Sequence, residues 1–432
     1  MTRPSDMNRS AFLSLIIYAL LLAALFTLHG ELLMLVIPLA VYLLVGFWRG
    51  PEELKLEVIR HLSAERATPD APVEVTITVA NRGGTLEEVL LEDGVPPALT
   101  IRVGSPRSLL TLRGGESHTY AYTVSGPRGG YVFEALKAKA NDHLAVTGRQ
   151  VRVETVNQLF IFPPLTRLRY IAIRPRRTRV YTGSIPARAG GSGTEFFGVR
   201  SYQPGDSPRS INWRASARHV GQLYSNEYQQ ERVSDVGIVL DGRLRTTAFR
   251  KGHSLFEYSV QAAAALADAF LTQGNRVGLL LYANYLGWTL PGYGKVQRER
   301  ILQALARAQP GSSQVFTALE HIPTRLFPPE SQIVVVSPLI EDDILPLIQL
   351  RALGYQVMAV SPDPVSFELS YLPATAETEM AARVVRLERA LLLKRLQRAG
   401  VQILDWNVAQ PFELAVKSRL GRSARWLQAI GS

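Results

Sequence analysis

The sequence predicts a multidomain chain: an N-terminal transmembrane helical hairpin, an all-β sandwich of the immunoglobulin-like kind, then a doubly wound α/β domain. Three observations carry this. Two long apolar runs open the chain, a period-two alternation of apolar residues follows, and from about residue 235 apolar strand-like runs alternate with helical ones. At 432 residues the chain is long enough for two or three domains. Its 47% hydrophobic and 20% charged content is that of a folded protein. Cysteine is absent, which excludes a disulfide framework, thiolate metal sites and cysteine nucleophiles.

The first apolar run, Ser10 to Leu28, carries no charge, and a second runs from Leu32 to Trp48 after His29-Gly30-Glu31. Each approaches the ~20 residues that a bilayer span requires. A signal peptide would have a shorter apolar core and a small-residue cleavage site, with no second span following at once. Residues 1–50 are therefore expected to be two transmembrane helices. Arg3 and Arg9 precede the pair and Arg49 follows it, while the connecting turn has no Lys or Arg. That charge placement puts both termini, and the rest of the chain, on the cytoplasmic face of the inner membrane. Tyr42 and Trp48 fall where interfacial aromatics anchor a span.

Residues 51–162 read as the sandwich. Val73-Glu-Val-Thr-Ile-Thr-Val79 is apolar at every second position, and Asn81-Arg-Gly-Gly84 closes it with turn chemistry. Further strands are expected near Leu54–Ile59, Glu88–Glu92, Leu109–Leu112, His118–Val124, Tyr131–Lys139 and Gln150–Glu154. His61, His118 and His143 lack metal-like spacing.

Residues 163–234 form an Arg-rich connector followed by a signature segment. Between Phe160 and Arg232 twelve arginines face four acids, Glu195, Asp206, Glu227 and Glu231, with no lysine. Such a field suits an anionic partner: nucleic acid, anionic lipid or an acidic protein face. Equally, arginines brace carboxylates and carbonyls inside a fold. The run Ala189-Gly-Gly-Ser-Gly-Thr194 lacks the spacing of a phosphate-binding loop, and so does Gly292-Tyr-Gly-Lys295, so no nucleotide or other cofactor is implied. A flexible basic connector is expected there. Beyond it, Glu195 to Arg218 gathers acids, arginines and aromatics around Pro204-Gly205-Asp206, a tight turn by residue type.

Residues 235–432 alternate strand and helix. Apolar strands are expected at Val236–Asp241, Val277–Ala283, Gln332–Ser337, Tyr355–Ser361 and Val401–Asp405. Helices are expected at Leu255–Gln273, Val296–Ala308, Asp343–Leu353 and about Thr378–Ala399, with a basic amphipathic helix from Phe412 to Ile430. This order predicts an open, mostly parallel sheet covered on both faces.

Glu195-Phe196, Arg200, Tyr202, Pro204-Gly205-Asp206, Arg209, Ile211, Trp213 and Ala217-Arg218 together resemble the signature of the domain of unknown function 58 family of bacteria and archaea. The resemblance implies that the last region is a von Willebrand factor A-like domain, in which metal-binding members carry D-x-S-x-S, a Thr and a later Asp. Here Asp241 is present, but Arg243 and Arg245 replace the two serines. Thr317 stands near the Thr position, and Ser337 lies where the later Asp is expected. Two cations oppose a divalent ion, so the site is read as degenerate, with no metal and with Asp241 paired to Arg243 or Arg245. The resemblance also implies a partner, a MoxR-type AAA+ ATPase.

The function expected is thus a membrane-anchored interaction or assembly factor acting as an adaptor for such an ATPase. Its signature residues Glu195, Arg200, Tyr202, Gly205, Asp206, Arg209, Trp213 and Arg218 would serve as an ion-pair clamp and recognition surface. One alternative is a hydrolytic or phosphate-ligand-binding enzyme using the Glu195/Asp206/Arg cluster. Against it, the signature has no histidine and Ser216 no evident base. Another is nucleic-acid or anionic-lipid binding through the connector, in keeping with a net charge of +11.

Overall fold

A computed structural model describes residues 9–28, 30–48, 54–141, 148–168, 179–218, 221–313, 315, 318–322 and 326–419, with only the backbone along 9–10, 46–48, 148, 179–197, 228–233, 321 and 419. The chain divides into two compact units, Met1–Phe162 and Pro163–Ser432.

The first unit begins with α1 (Arg9–Thr27) and α2 (Glu31–Trp48), which pack against each other. Both start on a charged residue, and α2 contains Pro38, which removes one internal hydrogen bond. At about 1.5 Å per residue the described lengths of the two helices, 19 and 18 residues, rise about 28 and 27 Å. Among the described residues no helix is long and apolar enough to cross a membrane. The expected transmembrane hairpin is therefore corrected to a pair of short apolar helices. The inner-membrane location goes with it, because the charge argument for cytoplasmic domains presupposed two spans. The side chain of Trp48 lies outside the described residues.

Among the described residues nine strands follow in this unit: β1 (Leu56–Leu62), β2 (Arg66–Ala67), β3 (Val73–Asn81), β4 (Leu86–Asp93), β5 (Thr100–Gly104), β6 (Arg107–Leu112), β7 (Ser117–Ser125), β8 (Gly129–Asn141) and β9 (Gly148–Ile161). They form two sheets, ordered β1-β3-β7-β5 and β2-β9-β8-β4-β6, and every pairing except β2 with β9 is antiparallel. The alternation read in β3 is what fills the space between them: Val73, Val75, Ile77 and Val79 are buried, among them meeting Leu91, Phe133 and Leu136 of the other sheet. Inside this core Arg60 and Asp93 form an ion pair with no exposed side-chain surface. Arg60 also donates to the carbonyls of Phe133 (3.2 Å) and Thr155, and the Tyr122 hydroxyl donates to Asp93. Burial and that hydrogen bond push the Tyr122 phenol well above its ordinary range. His61 and His118 lie on β1 and β7, while His143 is outside the described residues.

The second unit opens with a two-stranded antiparallel ribbon, β10 (Arg179–Ser201) and β11 (Tyr224–Val233), with α3 (Trp213–Ser216) between them. From Arg179 on, the segment expected as a flexible connector is thus strand, while residues 169–178 lie outside the described ones. A partner strand supplies the backbone hydrogen bonds that the Gly- and Arg-rich composition seemed to leave open. Gly190 and Gly191 pair with Gln229 and Tyr228 beside register shifts, where an irregular ladder tolerates glycine. Arg174, Arg176 and Arg177 lie outside the described residues.

The central sheet runs β16-β15-β12-β17-β18-β19. Its strands are β12 (Asp235–Asp241), β15 (Arg276–Tyr282), β16 (Leu286–Gly292), β17 (Gln332–Val336), β18 (Gln356–Pro362) and β19 (Gln402–Trp406). Only the β15–β16 pairing is antiparallel. A small hairpin, β13 (Phe249–Arg250) and β14 (His253–Ser254), leads into α4 (Leu255–Thr272), whose first turn is capped by Ser254. The remaining helices are α5 (Gly294–Arg307), α6 (Ile344–Ala352), α7 (Pro364–Leu369), α8 (Ala376–Arg398) and α9 (Phe412–Arg419). Val239, Val335 and Val357 pack with Leu347 and Leu350 of α6 and Leu393 and Leu396 of α8. The alternate residues Ile238, Leu240, Val334 and Met358 are also buried and face the other side, where α4 packs on the sheet. Gly237 sits on the central strand because a Cβ there would lie 2.6 Å from the Phe327 ring.

Candidate functional site: a clamped turn and a buried arginine

The turn at 203–206 closes through a hydrogen bond from the Asp206 amide to the Gln203 carbonyl (3.0 Å), and Gly205 adopts φ +109°. A side chain at that φ is strained, so glycine is required. Arg200, at the end of β10, reaches back over the turn. Its two terminal nitrogens donate to the two Asp206 oxygens at 2.9 and 2.7 Å, and its Nε lies 3.7 Å from Glu227 of β11. The Gln203 amide also donates to Asp206 Oδ2 at 3.0 Å, and the Tyr202 hydroxyl donates to the Asp206 carbonyl at 3.3 Å. Hydrogen bonds from Arg200, then from the Gln203 amide, hold the Asp206 carboxyl below the usual carboxylate range. Arg200, Tyr202, Gly205 and Asp206 are thus one assembly. The side chain of Glu195 lies outside the described residues.

The segment after the turn is pinned to β11. Asn212 Oδ1 caps α3 by accepting from the Ala215 amide (2.9 Å), and Asn212 Nδ2 donates to Asn226 Oδ1 (2.7 Å). The Ser216 hydroxyl donates to the Asn212 carbonyl and accepts from the Tyr224 amide, both at 2.9 Å. Between these anchors Trp213 stands 68% exposed, with Arg209, Arg214 and Arg218 also exposed. The sequence had singled out Trp213, Arg209 and Arg218 but not Asn212 and Asn226, whose roles depend on the pairing of 211–212 with β11, nor Glu227, which the pairing of β10 with β11 brings to Arg200.

A second group lies at the carboxyl end of β12. Arg243 donates through Nε and Nη2 to the two oxygens of Asp241 (2.8 and 2.9 Å) and through Nη1 and Nη2 to those of Asp343 (2.9 and 2.8 Å). Ser337, at the end of β17, donates to Asp241 Oδ2 at 2.6 Å. The Ile340 amide donates to Asp343 Oδ2 at 3.1 Å. All four of these side chains are buried. Burial alone would lower the Arg243 pKa, but the hydrogen bonds and charges of Asp241 and Asp343 outweigh it and hold the guanidinium charged. Asp343 moves the other way, upward, because burial and the nearby Asp241 charge exceed what one shared guanidinium offsets. Of the two partners weighed for Asp241, the structure uses Arg243, while Arg245 pairs at the surface with Asp342. Thr317 lies outside the described residues. Asp343 was missed, although it ends the acidic run Glu341-Asp342-Asp343 just after β17. Among the described residues no group of three His, Cys, Asp or Glu side chains forms a metal-binding cluster.

Comparison with known proteins places this region in context. Residues 198–388 match the model of the family described as "Protein of unknown function DUF58". A curated relative, "Uncharacterized protein YeaD" of Bacillus subtilis (strain 168), is 27% identical over 164 residues, 38% of this chain and 39% of its own length. The chain thus matches about two-fifths of that relative. Among solved structures, a FixG-related protein from Vibrio parahaemolyticus aligns at 11% identity with a TM-score of 0.17, over 26% of this chain and 98% of that one. Proximal thread matrix protein 1 from the mussel byssus aligns at 14% identity and a TM-score of 0.23, over 33% of this chain and 40% of that one. Likenesses at those scores carry no argument.

Proposed function

We propose that this chain, a member of the DUF58 family through residues 198–388, is an interaction or assembly factor that serves as an adaptor for a MoxR-type AAA+ ATPase. One observation carries the reading. Trp213, with Arg209, Arg214 and Arg218 around it, is exposed on a segment held at one end by the Arg200–Asp206 pair and at the other by Asn212 and Ser216. Tryptophan and arginine are the side chains that most often anchor protein interfaces. A loop already fixed in place loses little conformational freedom when a partner binds. The exposed charge is positive, so an acidic face on the partner fits it.

The same geometry favours recognition over chemistry. Asp206 gives both oxygens to Arg200 and one also to the Gln203 amide, and the Ser216 hydroxyl already donates and accepts. The test is affinity capture from cells with the full chain as bait, followed by binding measurements on the purified pair. Recovery of an AAA+ ATPase whose affinity falls roughly thirty-fold with Trp213→Ala, the effect of losing an anchor of about 2 kcal/mol, is the expected result. Capture without any such ATPase, or unchanged affinity for the variant, sinks the proposal.

A further inference from the structure

Helix α8 presents one face to its own unit and the opposite face to solvent. Ala382, Arg389 and Leu396, seven residues apart, face inward: Ala382 and Leu396 are buried, and Arg389 donates to the Pro338 carbonyl (2.7 Å) and to Asp405 Oδ1 (2.8 Å). On the far side Met380, Val384, Leu387 and Leu391 are 61%, 53%, 66% and 53% exposed. Their spacing of four, three and four residues is that of a coiled-coil seam. The seam positions just beyond the apolar four are Glu377 and Lys394.

We propose that this face is a homodimer interface in which two copies of α8 pack antiparallel. The charges at the seam ends choose both the occupant and the direction. In the antiparallel register Met380 meets Leu391 of the second copy, Val384 meets Leu387, and Glu377 meets Lys394. An oppositely charged pair then closes each end of an apolar centre. A parallel pair would set Glu377 against Glu377 and Lys394 against Lys394, and its only compensation would draw Arg383 from Glu379, its ion-pair partner on the same helix (3.0 Å). The antiparallel contact is isologous, so it closes on two copies and does not propagate. It is independent of the adaptor reading, because Trp213 takes no part.

The absence of cysteine makes the test direct. Met380→Cys and Leu391→Cys are made separately in the full chain, one of them tagged, and oxidised alone and mixed. Disulfides at these positions report on α8 itself, so association through the exposed apolar residues of α1 and α2 does not score. The expected result is a crosslink between the two variants when mixed and none in either alone, since like positions lie about 16 Å apart along an antiparallel pair, beyond disulfide reach. Glu377→Lys is expected to cut the yield about tenfold, and adding Lys394→Glu to restore it. Efficient crosslinking of each variant with itself overturns the antiparallel register. Absence of any crosslink overturns the dimer, and shielding of the uncrosslinked thiols from alkylation assigns the face to a different partner.

Discussion

Replacing Arg243 with methionine keeps most of the side chain's volume and removes its charge. Four hydrogen bonds of 2.8–2.9 Å to Asp241 and Asp343 are lost. Asp241 keeps the Ser337 hydroxyl and the residue-243 amide, and Asp343 keeps the Ile340 amide. Two buried carboxylates are then left without a cation. Breaking a buried pair in this way costs about 3–5 kcal/mol. At about 2–4 °C per kcal/mol for a unit of this size, the melting temperature falls by roughly 6–20 °C. The loss depends on pH in a defined direction. Asp343 already sits above the usual carboxylate range through burial and the Asp241 charge, and without the guanidinium it rises further. A carboxyl whose folded-state pKa is raised contributes stability that is full below its unfolded pKa and lost as pH rises through the folded one. The difference between Arg243→Met and the parent chain is therefore small in acid and grows toward neutral pH. Urea unfolding of both proteins across that range, followed by far-ultraviolet circular dichroism, measures it. A cost below about 1 kcal/mol at neutral pH, or one that does not change with pH, would refute the argument.

The Arg200–Asp206 clamp has the opposite pH dependence: because the Asp206 carboxyl is held down, the turn stays closed through the ordinary carboxylate range and loosens only as pH falls through the lowered value, which amide exchange at 203–206 would report. Asp206→Ala should speed that exchange at neutral pH and weaken partner binding while the melting temperature stays put. In the other unit, Arg60→Ala leaves Asp93 buried without its cation and should cost about 3–5 kcal/mol, read from the unfolding of residues 54–162. Gly237→Ala should cost about 1–3 kcal/mol by forcing the Phe327 ring aside, and Phe327→Leu in the same chain should recover part of it.

Much of the second unit was legible because buried parallel strands read as unbroken apolar runs, and Val236–Asp241 and Gln332–Ser337 stand out as such. The edge strand β16 did not stand out: it is only half-buried and contains Gly287 and Pro291, residues that ordinarily argue against a strand. Strand β5 does alternate, Ile101 and Val103 with Thr100 and Arg102, but it is only five residues long and all five are exposed, so it was passed over. Helix α7 carried a readable start, Asp363 capping with Pro364 in the first turn, and went unread because it is only six residues long. In the site, the turn was visible in Pro204-Gly205-Asp206, and Arg200 and Tyr202 were local enough to join it. Glu227 and Asp343 were not, since each reaches its arginine through strand pairing or across the sheet. The apolar runs at the start of the chain identified helices correctly, but run length alone did not establish a membrane span.

Arg243 makes the cation at the end of β12 part of the covalent chain. A diffusible ion occupies such a position only in proportion to its concentration, whereas a tethered guanidinium is present at high effective concentration from the moment the unit folds. It arrives without releasing protons from a ligand set, and no chelator removes it. The positive charge at this end of the sheet therefore does not depend on the divalent-ion level.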